Sequence, residues 1–329
     1  MNPDLNAAVP DLPKPVPSQP HRKHAEDVTM DEAKEALLRS GYLLESRLET
    51  ALRRRGFYVE ANVACPDRET AKPREFDVYA MNTVRAGKEE FDFIFEVLLV
   101  ECINNSQPVA FITKSPQVGF LHSSEVKLAG LPVKVPDEAR PGAWLSLPDF
   151  LHMEKYHHYC KGRIATQFCS FVRKKGAGEW MATHEDAHFD ALQKLSAVTE
   201  YMMGKHFTGW VLADRADETL NIEFYYPVVV LQGRMLEARA ERRALALHEA
   251  NHVQFRRSAI VGLEEVHYQI DVVTERFFPR FLRILETEMS TTARLLKRRQ
   301  AQIQAAIDRI WRSARRLRSA EKIRAALEC

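Results

Sequence analysis

A chain of 329 residues with 45% hydrophobic and 28% charged residues has an ordinary globular composition and is long enough to bury a full core. No apolar run approaches the roughly 20 residues that a membrane-spanning helix needs. The five cysteines form no CxxC pair, which argues against a disulfide framework. With no basic-then-apolar secretory signal at the N-terminus, these features predict a soluble, cytoplasmic protein without a membrane segment.

The N-terminal part of the chain divides into a leader and a helical region. Six prolines lie in the first twenty positions and predict a disordered leader over residues 1–28. A helical region is predicted to begin near Thr29 or Asp31 and to end at Gly56. Gly41 interrupts its pattern, so that two short helices fit as well as one. The residues with helical spacing are Leu37, Leu44, Leu48 and Leu52.

Extended segments follow this helix. They are FYVEANVAC, REFDVYAMN, FDFIFEVLLVEC and QPVAFIT, at 57–65, 74–82, 91–102 and 107–113. Each is rich in aromatic or β-branched residues and bounded by turn residues. The stretch FEVLLVE is almost continuously apolar, which is typical of a strand covered on both faces.

The sequence pattern predicts both helices and strands in the middle of the chain and helix at its end. Helices are expected over 148–160 and 184–203, and a hairpin is expected around Gly233. From Glu275 onward the pattern is helical apart from Pro279. The strands expected in this part are at 165–173, 209–214, 222–232, 234–238, 252–260 and 266–274.

Two acids in apolar strands are the first candidates for a functional site. Asp77 lies within REFDVYA, and Glu101 ends the strand LLVEC. On adjacent strands these side chains can converge at one edge, where hard oxygen ligands would hold Mg²⁺ or Mn²⁺. Glu45 shares a helix face with Leu48 and Leu52, which predicts that it points toward the sheet as a third carboxylate.

This arrangement resembles the PD-(D/E)xK nuclease superfamily. The order helix–strand–strand–strand, the acid in REFDVYA and the acid in LLVECINN carry the resemblance, over about residues 35–115. It implies a restriction-endonuclease-like fold, with Asp77 and Glu101 as catalytic metal ligands and Glu45 at the position of the acid that many members place on the first helix. It also implies Mg²⁺ or Mn²⁺ as cofactor and cleavage of phosphodiester bonds, with DNA as the expected partner.

One position departs from the family pattern. The family lysine that positions the attacking water would fall at Ile103. Lys114 is the first candidate for a displaced basic group because it is close in sequence, and Lys127 and Lys72 are the others. If none serves, the chain is a catalytically silent nuclease-fold protein that binds nucleic acid or protein partners.

Two histidine motifs offer a different reading. HEDAH at 184–188 and HEANH at 248–252 match His-Glu-x-x-His, which on a helix binds Zn²⁺ in metallopeptidases. HEDAH would lie in the first turn of its helix, and HEANH runs into a strand pattern. In a strand, residues four apart lie roughly 13 Å from each other, too far to share a zinc ion. A zinc metallopeptidase using HEDAH is therefore the third hypothesis.

A further histidine cluster occurs in HMEKYHHYC. Its side chains could in principle hold zinc, but their spacing matches no known pattern. The end of an amphipathic helix explains the cluster better. The residues concerned are His152, His157, His158 and Cys160, with Cys169 further along the chain.

The C-terminal segment is strongly basic. Residues 291–324 hold eleven Lys or Arg against two acids, although the net charge of the chain is only +2. A heptad seam predicts packing on the chain's own domain or a homodimer, and exposed arginines predict phosphate contacts. The seam residues are Ile303, Ile307, Ile310, Ala314 and Leu317. The arginines expected to bind nucleic acid are Arg298, Arg309, Arg312 and Arg316.

Taken together, the sequence predicts an α/β protein with a restriction-endonuclease-like mixed sheet flanked by helices. The expected division is a leader at 1–28, a nuclease-like core at 29–150, a second α/β region at 151–275 and a basic helical tail at 276–329. The expected function is metal-dependent DNA cleavage in repair, restriction or defence.

Overall fold

The computed structural model describes residues 28–40, 42–66, 73–90, 92–115, 125–174, 178–184, 186–212, 219–240, 244–261 and 264–315. Statements below concern these residues. The predicted leader, apart from its last residue, lies outside them, as do the side chains of the seam residues Ala314 and Leu317.

The described residues contain six α-helices. Thr29 begins the first of them with a capping box, because its hydroxyl accepts from the N–H of Glu32 and the Glu32 carboxylate accepts from the N–H of Thr29. Two short helices, not one, precede Gly56. The helices are α1 Met30–Arg39, α2 Tyr42–Arg53, α3 Leu147–Phe150, α4 Asp186–Leu212, α5 Phe278–Arg298 and α6 Gln300–Arg315.

Most strands belong to one large mixed sheet. Its order is β1-β2-β3-β10-β14-β13-β8-β4-β11-β12, with β5 also paired to β10 and β9 to β8, while β6 and β7 form a separate pair. The strands are β1 Tyr58–Pro66, β2 Pro73–Arg85, β3 Phe93–Ile103, β4 Val109–Lys114, β5 Lys127–Leu131, β6 Lys134–Pro136, β7 Trp144–Ser146, β8 Ile164–Arg173, β9 Trp180–Thr183, β10 Asn221–Leu231, β11 Met235–Ala240, β12 Leu245–Ala250, β13 His252–Val261 and β14 Glu264–Thr274.

Helices cover both faces of the centre of this sheet. The strands β3, β10 and β14 run parallel to one another, and Val97 to Val100 of β3 are fully buried, as the apolar run predicts. We call the side covered by α2, α5 and α6 the α5 face, and the side covered by α4 the α4 face. Each face carries its own apolar core, so the fold has three layers.

The sheet does not divide at residue 150. Strand β3 from the predicted core pairs with β10 from the predicted second region along its whole length, from Phe93–Asn221 to Ile103–Leu231. Strand β4 likewise pairs with β8 and β11. These ladders hold strands of residues 29–150 and strands of residues 151–275 in one sheet.

Several predicted elements need correction. Residues 209–212 end helix α4 and are not a strand. The expected hairpin around Gly233 is absent from the described ladders, because β10 and β11 pair with β3 and β4 instead of with each other. The helix expected over 148–160 is replaced by α3 and two 3-10 turns, Met153–Lys155 and His158–Cys160.

The C-terminal helices are part of the core. Phe278, Phe281 and Leu285 of α5 are fully buried on the α5 face. Of the heptad seam, Ile303 and Ile307 pack in the same core, and Ile310 is also buried. Packing on the chain's own domain therefore accounts for these seam residues, and pairing with a second copy through them would require them to leave this core.

The helices of the described residues differ from membrane-spanning helices. None of these helices combines the length and the hydropathy that crossing a bilayer requires.

Candidate functional site

Asp77 and Glu101 lie where the ladder between the neighbouring strands β2 and β3 ends. The antiparallel ladder of β2 and β3 ends at Val78–Val100, so these two acids occupy the next step of the same register. Opposed residues in such a pair have Cβ atoms roughly 5 Å apart. Leu99, two positions before Glu101, packs in the core of the α4 face, so alternation along β3 places the Glu101 carboxylate on that face as well.

The backbone fixes Asp77 at the point where the ladder opens. Its carboxylate accepts a hydrogen bond from the N–H of Cys102, with 2.6 Å between nitrogen and oxygen. On the other side, β1 and β2 pair through Ala61–Val78 and Val63–Phe76. The hydrogen bond from Cys102 therefore links Asp77 directly to the strand that carries Glu101.

Lys194 supplies a cation to this pair from the helix across the α4 face. Its Nζ lies 2.7 Å from Oε2 of Glu101 and donates to the carbonyl oxygen of Glu75 at 2.9 Å. Ile103 packs against the same core. The ammonium group therefore reaches the acids on the side of the sheet where position 103 presents an apolar side chain.

Burial is the main reason that the pKa values of both acids are raised. Burial and the neighbouring Asp77 charge raise the pKa of Glu101 to about 8, although Lys194 acts to lower it. Burial also raises the pKa of Asp77, against the opposing effects of the Cys102 hydrogen bond and Lys194. Carboxylates that repel each other in a partly closed site are stabilised by a bound cation.

Glu45 lies near the pair, as its position on α2 predicts. Burial raises its pKa, followed by the charges of Asp77 and Glu49, and Lys194 lowers it. Glu45 is partly exposed. It is a third carboxylate within electrostatic reach of Asp77, and hard oxygen donors of this kind suit Mg²⁺ or Mn²⁺.

The structure does not bring Lys114 to these acids. Lys114 is exposed at the end of β4, which pairs with β8 and β11 rather than with β3. The ammonium of Lys127 lies 4.8 Å from the ring centre of Tyr268, and Lys72 is outside the described residues. The basic group beside the acids is Lys194, not Lys114.

A sequence signal for Lys194 does exist. Ala191, Leu195 and Val198 are buried, and Lys194 lies three positions after the first and four before the last. A lysine on the apolar stripe of a helix must either extend to solvent or meet a carboxylate. The pattern identifies the lysine as unusual, but it does not identify Glu101 as its partner.

The zinc motif HEDAH does not lie on one helix. His184 is exposed and precedes the first residue of α4, Asp186, whereas His188 is buried against the ring of Phe168. Glu185 is outside the described residues. In HEANH, His248 lies on β12 and His252 on β13, as the strand interpretation predicts.

A compact group of three possible metal ligands is formed by His157, His158 and Glu288, with all ligand atoms within 4.8 Å. In the described residues, Glu45, Asp77 and Glu101 do not belong to such a group. Nδ1 of His157 accepts from the N–H of Tyr159, so its Nε2 carries the proton and cannot bind a metal. The hydrogen bonds therefore favour a metal-free ion cluster.

The C-terminal arginines lie apart from the acids. Arg298 is exposed and lines a surface pocket with Arg85, which is eight residues from Asp77 along β2 and thus roughly 26 Å away. Arg309 stacks over the ring of Trp144, with 5.1 Å to its centre. Arg312 is exposed, and Arg316 is outside the described residues.

Comparison with known proteins adds no relative: no family model, no curated protein and no solved structure matches this chain.

Proposed function

We propose that this protein is a metal-dependent nuclease of the PD-(D/E)xK type that cleaves phosphodiester bonds in DNA. The observation that carries the proposal is the position of Asp77 and Glu101 at the end of the β2–β3 ladder, with the Lys194 ammonium 2.7 Å from Glu101. Two carboxylates and an amine at one strand edge are the groups that metal-assisted hydrolysis of a phosphodiester uses. Perturbed carboxyl pKa values are also common at functional sites.

Each residue has a distinct role in this proposal. Asp77 and Glu101 hold the divalent cation, and Glu45 adds negative charge that favours it. Lys194 orients the attacking water and offsets negative charge that develops on the phosphate. A bound Mg²⁺ or Mn²⁺ supplies Lewis-acid activation and stabilises charge in the transition state.

A pocket lies near the end of the strand that carries Glu101. This pocket of about 720 Å³ lies at the ends of β10 and β14 and includes Gln232, Arg234 and Arg276. Gln232 donates its N–H to the carbonyl of Ile103 at 2.9 Å, so the pocket begins next to the strand that carries Glu101. Arg234 is paired with Glu249 at 2.6 Å and Arg276 donates to Asn251 at 2.7 Å, so each would have to leave its partner to contact a phosphate that flanks the scissile bond.

The test is cleavage of single- and double-stranded DNA, and of RNA of the same sequence, with Mg²⁺ or Mn²⁺. Asp77→Asn and Glu101→Gln should each lower the rate at least about 100-fold, because each removes a charged metal ligand. Glu75→Gln is the matched control, since Glu75 is exposed on the same strand and should keep the wild-type rate. Cleavage that survives both site variants, or a wild type that cuts none of these substrates, contradicts the proposal.

The second candidate is a silent nuclease-fold protein that binds nucleic acid. The specific observation in its favour is that Lys194 lies 2.7 Å from Glu101, which is 5% exposed, while Ile103 replaces the family lysine. For this candidate we expect saturable DNA binding without cleavage under any metal condition, and equal binding by Glu101→Gln. DNA binding that needs both the divalent cation and Glu101 would instead favour the enzyme.

A further inference from the structure

A second pocket lies between β13 and α5, on the opposite side of the sheet from Glu101. It is open to solvent and has a volume of about 630 Å³. His158 and Glu288 are its buried floor, and Lys161, Arg280 and Arg283 are its exposed rim. A volume of this size is typical of small-molecule sites. We call it the histidine pocket.

A chain of buried ion pairs lies beneath the histidine pocket. Nδ1 of His158 lies 2.8 Å from Glu288, and Nε2 of His158 lies 3.0 Å from Asp271. The second oxygen of Asp271 lies 2.7 Å from Nε2 of His252, which also lines the pocket. Burial acts to lower the pKa of His158, but Asp271 and Glu288 outweigh it and raise the pKa to about 10.

The buried floor of the pocket carries a formal charge of −1, which the three cations of the rim outnumber. One His158 imidazolium lies between the two carboxylates and offsets only one of their charges. Asp271 is fully buried. Its hydrogen bond also holds the His252 ring in a fixed orientation at the pocket wall.

The rim carries three cations that lack a carboxylate partner within the described part of the chain. Lys161, Arg280 and Arg283 all line the pocket, and the ion pairs of this region involve other residues. Arg280 stacks over the ring of Phe277, with 5.6 Å to its centre. Three unpaired cations around one concave site create a positive potential that attracts anions.

We propose that the histidine pocket binds a phosphate monoester, with Arg280, Arg283 and Lys161 contacting the phosphate and His252 contacting the ligand from the wall. A monoester is dianionic near neutral pH and makes use of several cations, and guanidinium groups bind phosphate oxygens in pairs. The pocket volume suits a molecule of nucleotide size. This site is independent of the nuclease proposal, since it lies on the α5 face and uses neither Asp77 nor Glu101.

The test is calorimetric titration of the full chain with inorganic phosphate, with AMP, and with the dinucleoside monophosphate ApA, whose only phosphate is a diester. Wild type should bind phosphate and AMP at one site per chain and should bind ApA at least tenfold more weakly than AMP. The double variant Arg280→Gln and Arg283→Gln should lose at least tenfold in affinity for AMP. The control is Arg54→Gln with Lys88→Gln, two exposed cations elsewhere, which should stay within twofold of wild type.

Three results would overturn this assignment. One is the absence of saturable binding of phosphate and AMP by wild type. Another is equal AMP affinity in the double variant and the control, given matching thermal melts that show both are folded. The third is ApA binding as tight as AMP binding, because the pocket would then recognise backbone phosphate and not a monoester.

Discussion

The ammonium group of Lys194 lies 2.7 Å from the carboxylate of Glu101, across the interface between α4 and the sheet. This contact joins a helix from the middle of the chain to a strand near its start. It also places a cation beside an acid whose pKa is raised to about 8. The relationship determines how the site should respond to metal and to pH.

Removing the lysine charge should separate metal binding from catalysis. Compared at a pH above the pKa of Glu101, where the proton does not compete, Lys194→Gln should bind Mn²⁺ several-fold more tightly than wild type, because a cation next to Glu101 repels the metal ion. The same variant should cleave more slowly, because the attacking water loses its basic partner. Titration calorimetry with Mn²⁺ measures the first effect. Weaker Mn²⁺ binding by Lys194→Gln would mean that the lysine organises the ligands instead of competing for them.

Metal affinity should depend on pH through Glu101. With a pKa of about 8 in the metal-free protein, the Glu101 carboxyl is largely protonated at pH 6–7 and must release its proton to bind the cation. Apparent Mn²⁺ affinity should therefore rise by up to about tenfold per pH unit below pH 8 and level off above it. Titrations in buffers of different ionisation enthalpy should show about one proton released at pH 7. Affinity that is flat from pH 6 to pH 9 would rule out Glu101 as the titrating ligand.

Glu96 should make the fold less stable as pH rises. It is fully buried in β3, and burial, then the charges of Glu286 and Glu288, raise its pKa to about 8. A raised carboxyl pKa contributes stability that is fully present below about pH 4.5 and is lost as pH rises through about 8.

The matching variant is Glu96→Gln, which keeps the size and removes the charge. Urea unfolding at pH 9 should show it more stable than wild type by about 1–3 kcal/mol, with the difference nearly gone at pH 4.5. Glu35→Gln, at an exposed acid on α1, is the control. A constant difference at both pH values would show that packing, not ionisation, separates the two proteins.

The buried imidazolium of His158 should stabilise the fold at neutral pH. Its folded pKa of about 10 exceeds the ordinary value of 6.5, so this stabilisation is fully present below about pH 6.5 and is lost as pH rises through about 10. Asp271→Asn should lower the free energy of unfolding at pH 7 by about 3–5 kcal/mol, the usual effect of breaking a buried ion pair.

The control for this variant is Asp308→Asn, at a half-buried site on α6, which should change stability by less than about 0.5 kcal/mol. Denaturant unfolding monitored by circular dichroism gives both values. Similar losses in the two variants would mean that the His158 ion pairs contribute no special stability.

Sequence patterns predicted local structure better than long-range pairing. The apolar run of β3 and the helical spacing around Leu48 correspond to a covered central strand and to α2, because alternation and burial are encoded locally. The partner of β3 is β10, and nothing in either strand specifies that pairing. For the same reason, the sequence did not show that strands from both sides of the boundary predicted at residue 150 belong to one sheet.

The candidate site could also be predicted only in part. Asp77 and Glu101 could be placed near each other because they lie on consecutive strands, where register follows from the connection. Lys194 approaches from a helix far along the chain, and only tertiary packing brings it to Glu101. Lys114 was favoured for its closeness in sequence, but β4 continues into a different part of the sheet.

The most direct test of the central claim moves the lysine from position 194 to position 103. Ile103 packs against the core of the α4 face, so a lysine introduced there can reach the acids that Lys194 now serves. Single-turnover cleavage of DNA with Mg²⁺ should be at least about 100-fold slower for Lys194→Gln than for wild type, with Lys114→Gln unchanged. The double variant Ile103→Lys with Lys194→Gln should recover at least tenfold over Lys194→Gln. A Lys194→Gln protein that cleaves DNA at the wild-type rate would contradict the assignment of Lys194 to the site.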